Sequence, residues 1–186
     1  MNNDHHLTAD TLCRLLRYEE DTGHLFWRER NAAEFSDGYH RSDVRCAMWN
    51  ARYSGKAALN QPHVYGYRNG AILNKKHYAH RVIWAMKTGT WPVAEIDHID
   101  LDRSNNRWAN LRAATRAENA RNQRLRVTNK SGFKGVSWSK EMNKWHSTIW
   151  LECSQISLGF FSEKSDAAAA YVNASHKYHG NFARAN

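Results

Sequence analysis

The chain has 186 residues, 27 Lys and Arg against 18 Asp and Glu, and a formal net charge of +9. This length allows one medium core or two small ones, and the basic excess points to a polyanionic partner: DNA, RNA or an anionic lipid surface. No run approaches the roughly 18 apolar residues of a membrane span, and Asp4, His5 and His6 do not make the start of a signal peptide, so the composition describes a soluble intracellular protein. Cys13, Cys46 and Cys153 lie far apart and form no CxxC pair, which argues against a disulfide framework and against a cysteine-bound zinc.

Taken in chain order, Leu7 to Arg17 predicts a short amphipathic helix with Thr8 as N-cap and Leu12, Leu15 and Leu16 as its apolar side. After the turn signal Asp21-Thr22-Gly23, His24 to Trp27 reads as a strand. Asn31 to Ser54 is mixed in charge and without a period, and is expected to be irregular. Gly66-Tyr67-Arg68 and Ala71-Ile72-Leu73 read as a hairpin, and His80 to Lys87 as a helix stopped by Gly89. Val93 to Ile99 predicts a strand, Leu101 to Trp108 a polar loop and Ala109 to Ala114 a second strand. Thr115 with Glu118 then forms a capping box for a helix reaching about Arg126. Residues 127–132 have the small, polar composition of a linker. Beyond it, Phe133 to Ser139, Lys144 to Glu152 and Gln155 to Phe161 predict three strands, followed by an alanine-rich helix from Ser165 to His179. The class is α+β, with domains expected at 1–126 and 133–186.

Every charged residue from Arg103 to Lys134 except Glu118 is basic. A sign excess of this size across a helix and a linker is better explained by phosphate contact than by a solvated face.

The run from Glu95 to Arg112, with Asp97-His98 and Asn110, followed by Glu118-Asn119, resembles the signature of His-Asn-His (HNH) endonucleases in its His-Asn-Asn form. The resemblance implies a ββα-metal fold over about residues 93–126 and hydrolysis of phosphodiester bonds in duplex DNA. It casts His98 as general base, a task suited to an imidazole near neutral pH. Asp97 and Asn119 would be hard-oxygen ligands for a divalent metal, Mg²⁺ first and Mn²⁺ second. Asn110 would hold the loop between the strands. Arg112, Arg121, Arg124, Arg126 and Lys130 are placed to meet phosphates. His80 is read as a packing residue at a helix start, and Asp100 and Asp102 as turn residues. The front half, with Thr22-Gly23, Gly66-Tyr67, Ala79-His80-Arg81 and Gly89-Thr90-Trp91-Pro92, is similar to bacteriophage endonucleases of this type.

Ser131-Gly-Phe-Lys-Gly-Val-Ser-Trp, Lys144-Trp145, Leu158-Gly-Phe-Phe161, Asp166-Ala-Ala-Ala-Ala-Tyr171 and Gly180-Asn-Phe182 resemble the ethylene-response-factor (Apetala-type) DNA-binding domain. That resemblance implies a three-stranded antiparallel sheet packed on one helix, with the sheet in the major groove. The groove-facing positions would be Lys134, Ser137, Ser139, Thr148, Trp150, Gln155 and Ser157. The core would be Phe133, Val136, Trp145, Ile149, Leu158, Phe160, Ala168 and Tyr171. The combined expectation is a phage homing endonuclease acting on double-stranded DNA as a monomer or homodimer inside an infected bacterial host. The competing reading is a DNA-binding transcriptional regulator on a relic nuclease scaffold.

Overall fold

The computed structural model describes residues 7–125, 127–151 and 154–183. Arg126 and Glu152, expected as a phosphate contact and a strand end, lie outside the described residues. So do Asp4, His5, His6, Cys153 and residues 184–186. The chain divides into two compact units, Met1–Ala113 and Ala114–Asn186.

The first unit begins with α1 (Ala9–Leu15), capped by Thr8, whose hydroxyl accepts from the Thr11 amide at 3.2 Å. Leu12 and Leu15 sit one turn apart and are buried, and the chain turns extended at Leu16, earlier than the expected helix end at Arg17. β1 (Leu16–Glu19) pairs antiparallel with β2 (His24–Trp27) through the turn that closes at Gly23. A Cβ at Gly23 would lie 2.6 Å from the Arg107 backbone nitrogen, so only glycine admits that approach.

Residues 31–54, expected to be irregular, hold a helix, α2 (Ser42–Tyr53). Its only buried apolar residue is Cys46, so no hydrophobic stripe marks it in the sequence. Polar and aromatic contacts dock it instead. Asn50 donates to the Arg30 carbonyl at 2.8 Å and accepts from the Arg30 amide at 3.0 Å, and Trp49 packs edge-on against Trp27.

The short strands β3 (Ala57–Ala58) and β4 (Gln61–Pro62) extend two small antiparallel sheets, β1-β2-β3 and β4-β5-β6. The latter contains the hairpin of β5 (Arg68–Ile72) and β6 (Lys75–Tyr78). The expected hairpin at 66–73 is thus moved along the chain. Gly66 lies in a turn, its amide donating to the His63 carbonyl at 2.8 Å, and the hairpin reverses at Leu73 and Asn74, both at positive φ. Such a two-residue reversal matches the twist of antiparallel strands, and only Asn74 of the pair advertises it.

α3 (Ala79–Thr88) ends at Gly89 and turns Val82, Ile83 and Ala85 into a core with Leu12, Leu16, Leu25 and Ile72. β7 (Glu95–His98) and β8 (Leu111–Ala114) pair as a two-stranded sheet, contributing Ile96 and Leu111 to that core.

The second unit opens with α4 (Arg116–Asn122), whose capping box is complete: Thr115 Oγ1 accepts from the Glu118 amide and Glu118 Oε2 from the Thr115 amide. It stops short of Arg126. Lys134 Nζ donates to the Arg121 carbonyl at 2.9 Å and ties α4 to the segment leading into the sheet. Within the stretch read as a linker, Asn129 Oδ1 accepts from the Gly132 amide at 2.7 Å and Asn129 Nδ2 donates to the Phe133 carbonyl at 3.0 Å.

β9 (Val136–Ser139), β10 (Lys144–Leu151) and β11 (Ser154–Phe161) form an antiparallel sheet in the order β11-β10-β9, backed by α5 (Lys164–His179). Val136, Ala167 and Ala168 form its core, with Phe133, Trp145 and Phe161 packed against them. Gly135 has no room for a side chain, since a Cβ there would meet the Tyr171 ring and the Thr148 carbonyl. One core expectation is corrected. Phe160 is 40% exposed and stacks on His146, while Phe161 packs inside. A bulge explains the exchange: Thr148 pairs with Ser157 but Ser147 with Gly159, so Leu158 is an extra residue that inverts the alternation beyond it.

Candidate active site

β7 ends on Asp97 and His98, both buried, at 4% and 3% exposure. The loop from Ile99 to Asn110 then folds back over them. His98 Nε2 donates to Asn106 Oδ1 at 3.0 Å, and Asn106 is itself buried. With Nε2 carrying the proton, the basic lone pair of the neutral ring belongs to Nδ1. Sequence reasoning did not single out Asn106. It sits in an Asn-rich loop where turn chemistry is the ordinary explanation, and no spacing distinguishes it from Asn105.

Asn110 is the loop's fastener. Its Oδ1 accepts from the Asp100 amide at 3.0 Å, and its Nδ2 donates to Asp100 Oδ1 at 2.9 Å and to the Asn105 carbonyl at 2.8 Å. Asp100 Oδ2 takes a further bond from Asn105 Nδ2, and Asp102 Oδ1 accepts from the Ser104 amide and hydroxyl. Burial pushes the Asp100 carboxyl up, but the bonds from Asn105, the Asp102 amide and Asn110 outweigh it and hold it below its ordinary value. Ser104 lowers Asp102 in the same way.

The loop is braced from the N-terminal hairpin. Tyr18 Oη donates to the Asn106 carbonyl at 2.9 Å, Arg107 Nε donates to the Asp21 carbonyl at 2.6 Å, and Gly23 lies against the backbone between Asn106 and Arg107. On the other side stand Tyr67 and His80, with ring centroids 5.8 and 5.2 Å from His98. His80, expected only to pack, is buried against the candidate base, and its Nδ1 has no hydrogen-bond partner among the described residues. Burial lowers its pKa to about 3. Burial likewise lowers His98, while its bond to Asn106 and the charges of Asp100, Asp97 and Asp102 pull it back up. Both rings are therefore neutral at neutral pH.

Arg112, expected at a DNA phosphate, reaches inward. Its Nε and Nη2 lie 2.8 and 2.7 Å from Asp97 Oδ2. Desolvation makes that pairing the favourable use of the guanidinium, because a buried carboxylate without a counter-charge is costly.

In the second unit, Asn119 is half-buried in α4, Arg121 is half-buried in its last turn, and Arg124 and Lys130 are exposed beyond it. Ser137, Thr148, Trp150, Gln155 and Ser157 share the sheet face opposite α5, and alternation puts Ser139 with them. Gln155 Nε2 donates to Thr148 Oγ1 at 2.9 Å, and Trp150 is 59% exposed.

Among the described residues no three His, Cys, Asp or Glu side chains gather as a metal cluster. Asp97 and Asn119, the metal ligands expected from the sequence, carry hard oxygens of the kind a divalent cation such as Mg²⁺ prefers.

A β-strand ending in Asp-His, an asparagine-fastened loop, a returning strand and a capped helix is the order in which HNH nucleases arrange their motif. Residues 77–121 match the family model described as HNH endonuclease, so the chain carries a nuclease-family domain. It is also 36% identical over 107 residues to Protein 3.8 of Escherichia phage T7, a match covering 56% of this chain and 87% of that relative. The chain belongs to the same family as Protein 3.8. No solved structure gives a significant match. Among the described residues no helix is long and apolar enough to cross a membrane.

Proposed function

We propose that the chain is a metal-dependent DNA endonuclease of the phage homing type, with His98 as its general base. The observation that carries this reading is the buried His98 imidazole, neutral at neutral pH and fixed through Nε2 by Asn106, directly after a carboxylate that Arg112 orients. His98 Nδ1 takes the proton from the attacking water, and Asn106 keeps that nitrogen in its basic tautomer. Asp97 and Asn119 are the proposed ligands of Mg²⁺, with Mn²⁺ as a substitute. The cation, when bound, offsets charge on the phosphate and the leaving oxygen. Asn110 keeps the loop closed over the base.

The second unit's sheet is proposed as an ethylene-response-factor-like reader of duplex DNA, using Lys134, Ser137, Ser139, Thr148, Trp150 and Gln155. Arg121, Arg124, Arg126 and Lys130 would follow the phosphates. A weak reader tethered to a weak nuclease raises the effective concentration of each at the DNA, so neither need bind tightly alone.

The test is cleavage of supercoiled plasmid and phage genomic DNA by wild type and His98→Ala with Mg²⁺, Mn²⁺ and EDTA. Nicked or linear product that requires metal and vanishes in the variant is the expected outcome. Equal DNA binding by both proteins with no cutting of any substrate would replace the enzyme with the DNA-binding regulator.

A further inference from the structure

Between α4 and the sheet, within the second unit, lies a cavity of about 660 Å³. Arg121, Arg124 and Lys134 line it together with Trp150, Gln155 and Tyr171. No carboxylate is among its described lining residues. His179 is a further wall residue. Burial chiefly lowers that imidazole's pKa, and Arg121 and Lys134 lower it further.

Lys134, Trp150 and Gln155 of the proposed DNA-facing surface are among these lining residues, so whatever the cavity takes belongs to the same DNA contact. Its volume falls in the range of about 300–1,000 Å³ typical of sites that enclose one small ligand. The chemistry of the walls selects which ligand. Trp150, 59% exposed, offers an indole on which a base can stack, the Gln155 amide has the donor and acceptor of a base edge, and the guanidinium groups suit a phosphate.

We infer that this cavity binds a single unpaired nucleotide of a DNA strand, its base stacked on Trp150 and its phosphate held by Arg121 and Arg124. The inference rests on the reading of the second unit as a DNA-binding module and specifies the form of DNA it prefers: a nucleotide outside the double helix, either bulged from a duplex or in a single strand.

The experiment measures binding of the full chain, in EDTA, to three oligonucleotides of matched length: a fully paired duplex, a duplex with one bulged 2-aminopurine, and a single strand with one 2-aminopurine. Wild type is expected to bind at least one unpaired form about tenfold more tightly than the paired duplex and to quench its fluorescence, as stacking on an aromatic ring requires. Which form is preferred identifies the source of the nucleotide. In Trp150→Ala the preference should collapse to about onefold and the quenching disappear, whereas Trp150→Phe should retain most of both. Circular dichroism establishes that each variant is folded. Equal affinity of wild type for all three forms without quenching overturns the inference, as does a preference unchanged in folded Trp150→Ala. Failure of the nuclease reading shows separately, as absence of metal-dependent cleavage, and leaves these ratios as they are.

Discussion

Arg112 directs two guanidinium nitrogens, Nε at 2.8 Å and Nη2 at 2.7 Å, onto a single oxygen of the buried Asp97. Replacing Arg112 by Gln removes the counter-charge from a carboxylate that is 4% exposed, and denaturant unfolding should register a loss of about 3–5 kcal/mol. Arg112→Lys should recover only part of it, because an ammonium cannot reproduce the planar two-point contact.

Asn106 is predicted to act on rate rather than on substrate affinity. Asn106→Ala leaves His98 without the acceptor that selects its tautomer, and kcat for plasmid cleavage should fall about 10- to 100-fold, with KM changing far less. An unchanged kcat in a folded variant would mean that the Asn106 bond is structural only.

Asn110 works through the loop it fastens. Asn110→Ala forfeits three hydrogen bonds at once and should destabilise the protein by about 1–3 kcal/mol, read as a lower thermal midpoint. Asn110→Asp should be no better, since it keeps the acceptor for the Asp100 amide but sets a second carboxylate beside Asp100.

His80 makes stability depend on pH. Its ordinary value is 6.5 and its folded value about 3, so between these the unfolded chain binds more protons, and stability falls as pH drops below 6.5. Above 6.5 the group contributes nothing. At pH 5 the loss is about 2 kcal/mol, and His80→Phe should flatten that part of the curve. His98 and His179, lowered in the same direction, contribute to the slope that remains.

Much of this architecture is legible in the residues. Thr8 and the Thr115–Glu118 pair mark helix starts because their side chains satisfy backbone amides that nothing else reaches. What stays hidden depends on contacts distant in sequence. α2 has no apolar stripe because Asn50 and Trp49 anchor it to Arg30 and Trp27. Arg112 looks like any other member of a basic run until β8 brings it beside Asp97. The motif spacing draws attention to Asp97, His98 and Asn110, but it carries no sign of Asn106, which owes its place to the fold of the loop.

The exchange of Phe160 and Phe161 across the bulge gives a contrast that is simple to measure. Phe161→Ala should cost at least about 2 kcal/mol, and Phe160→Ala well under half of that, since its ring already meets solvent. The opposite ranking would place Leu158 in the regular alternation.

The contacts of Tyr18, Asp21 and Gly23 with the Asn106–Arg107 backbone reach well outside residues 77–121, the stretch that carries the family signature. The portable unit is therefore longer than its signature. A fragment cut to those bounds would keep every residue of the motif and lose the floor under the loop that aims His98. Transplanting this HNH-family domain into another protein means moving the N-terminal hairpin with it, and a shuffled gene that inherited the motif alone would inherit a histidine without a fixed direction.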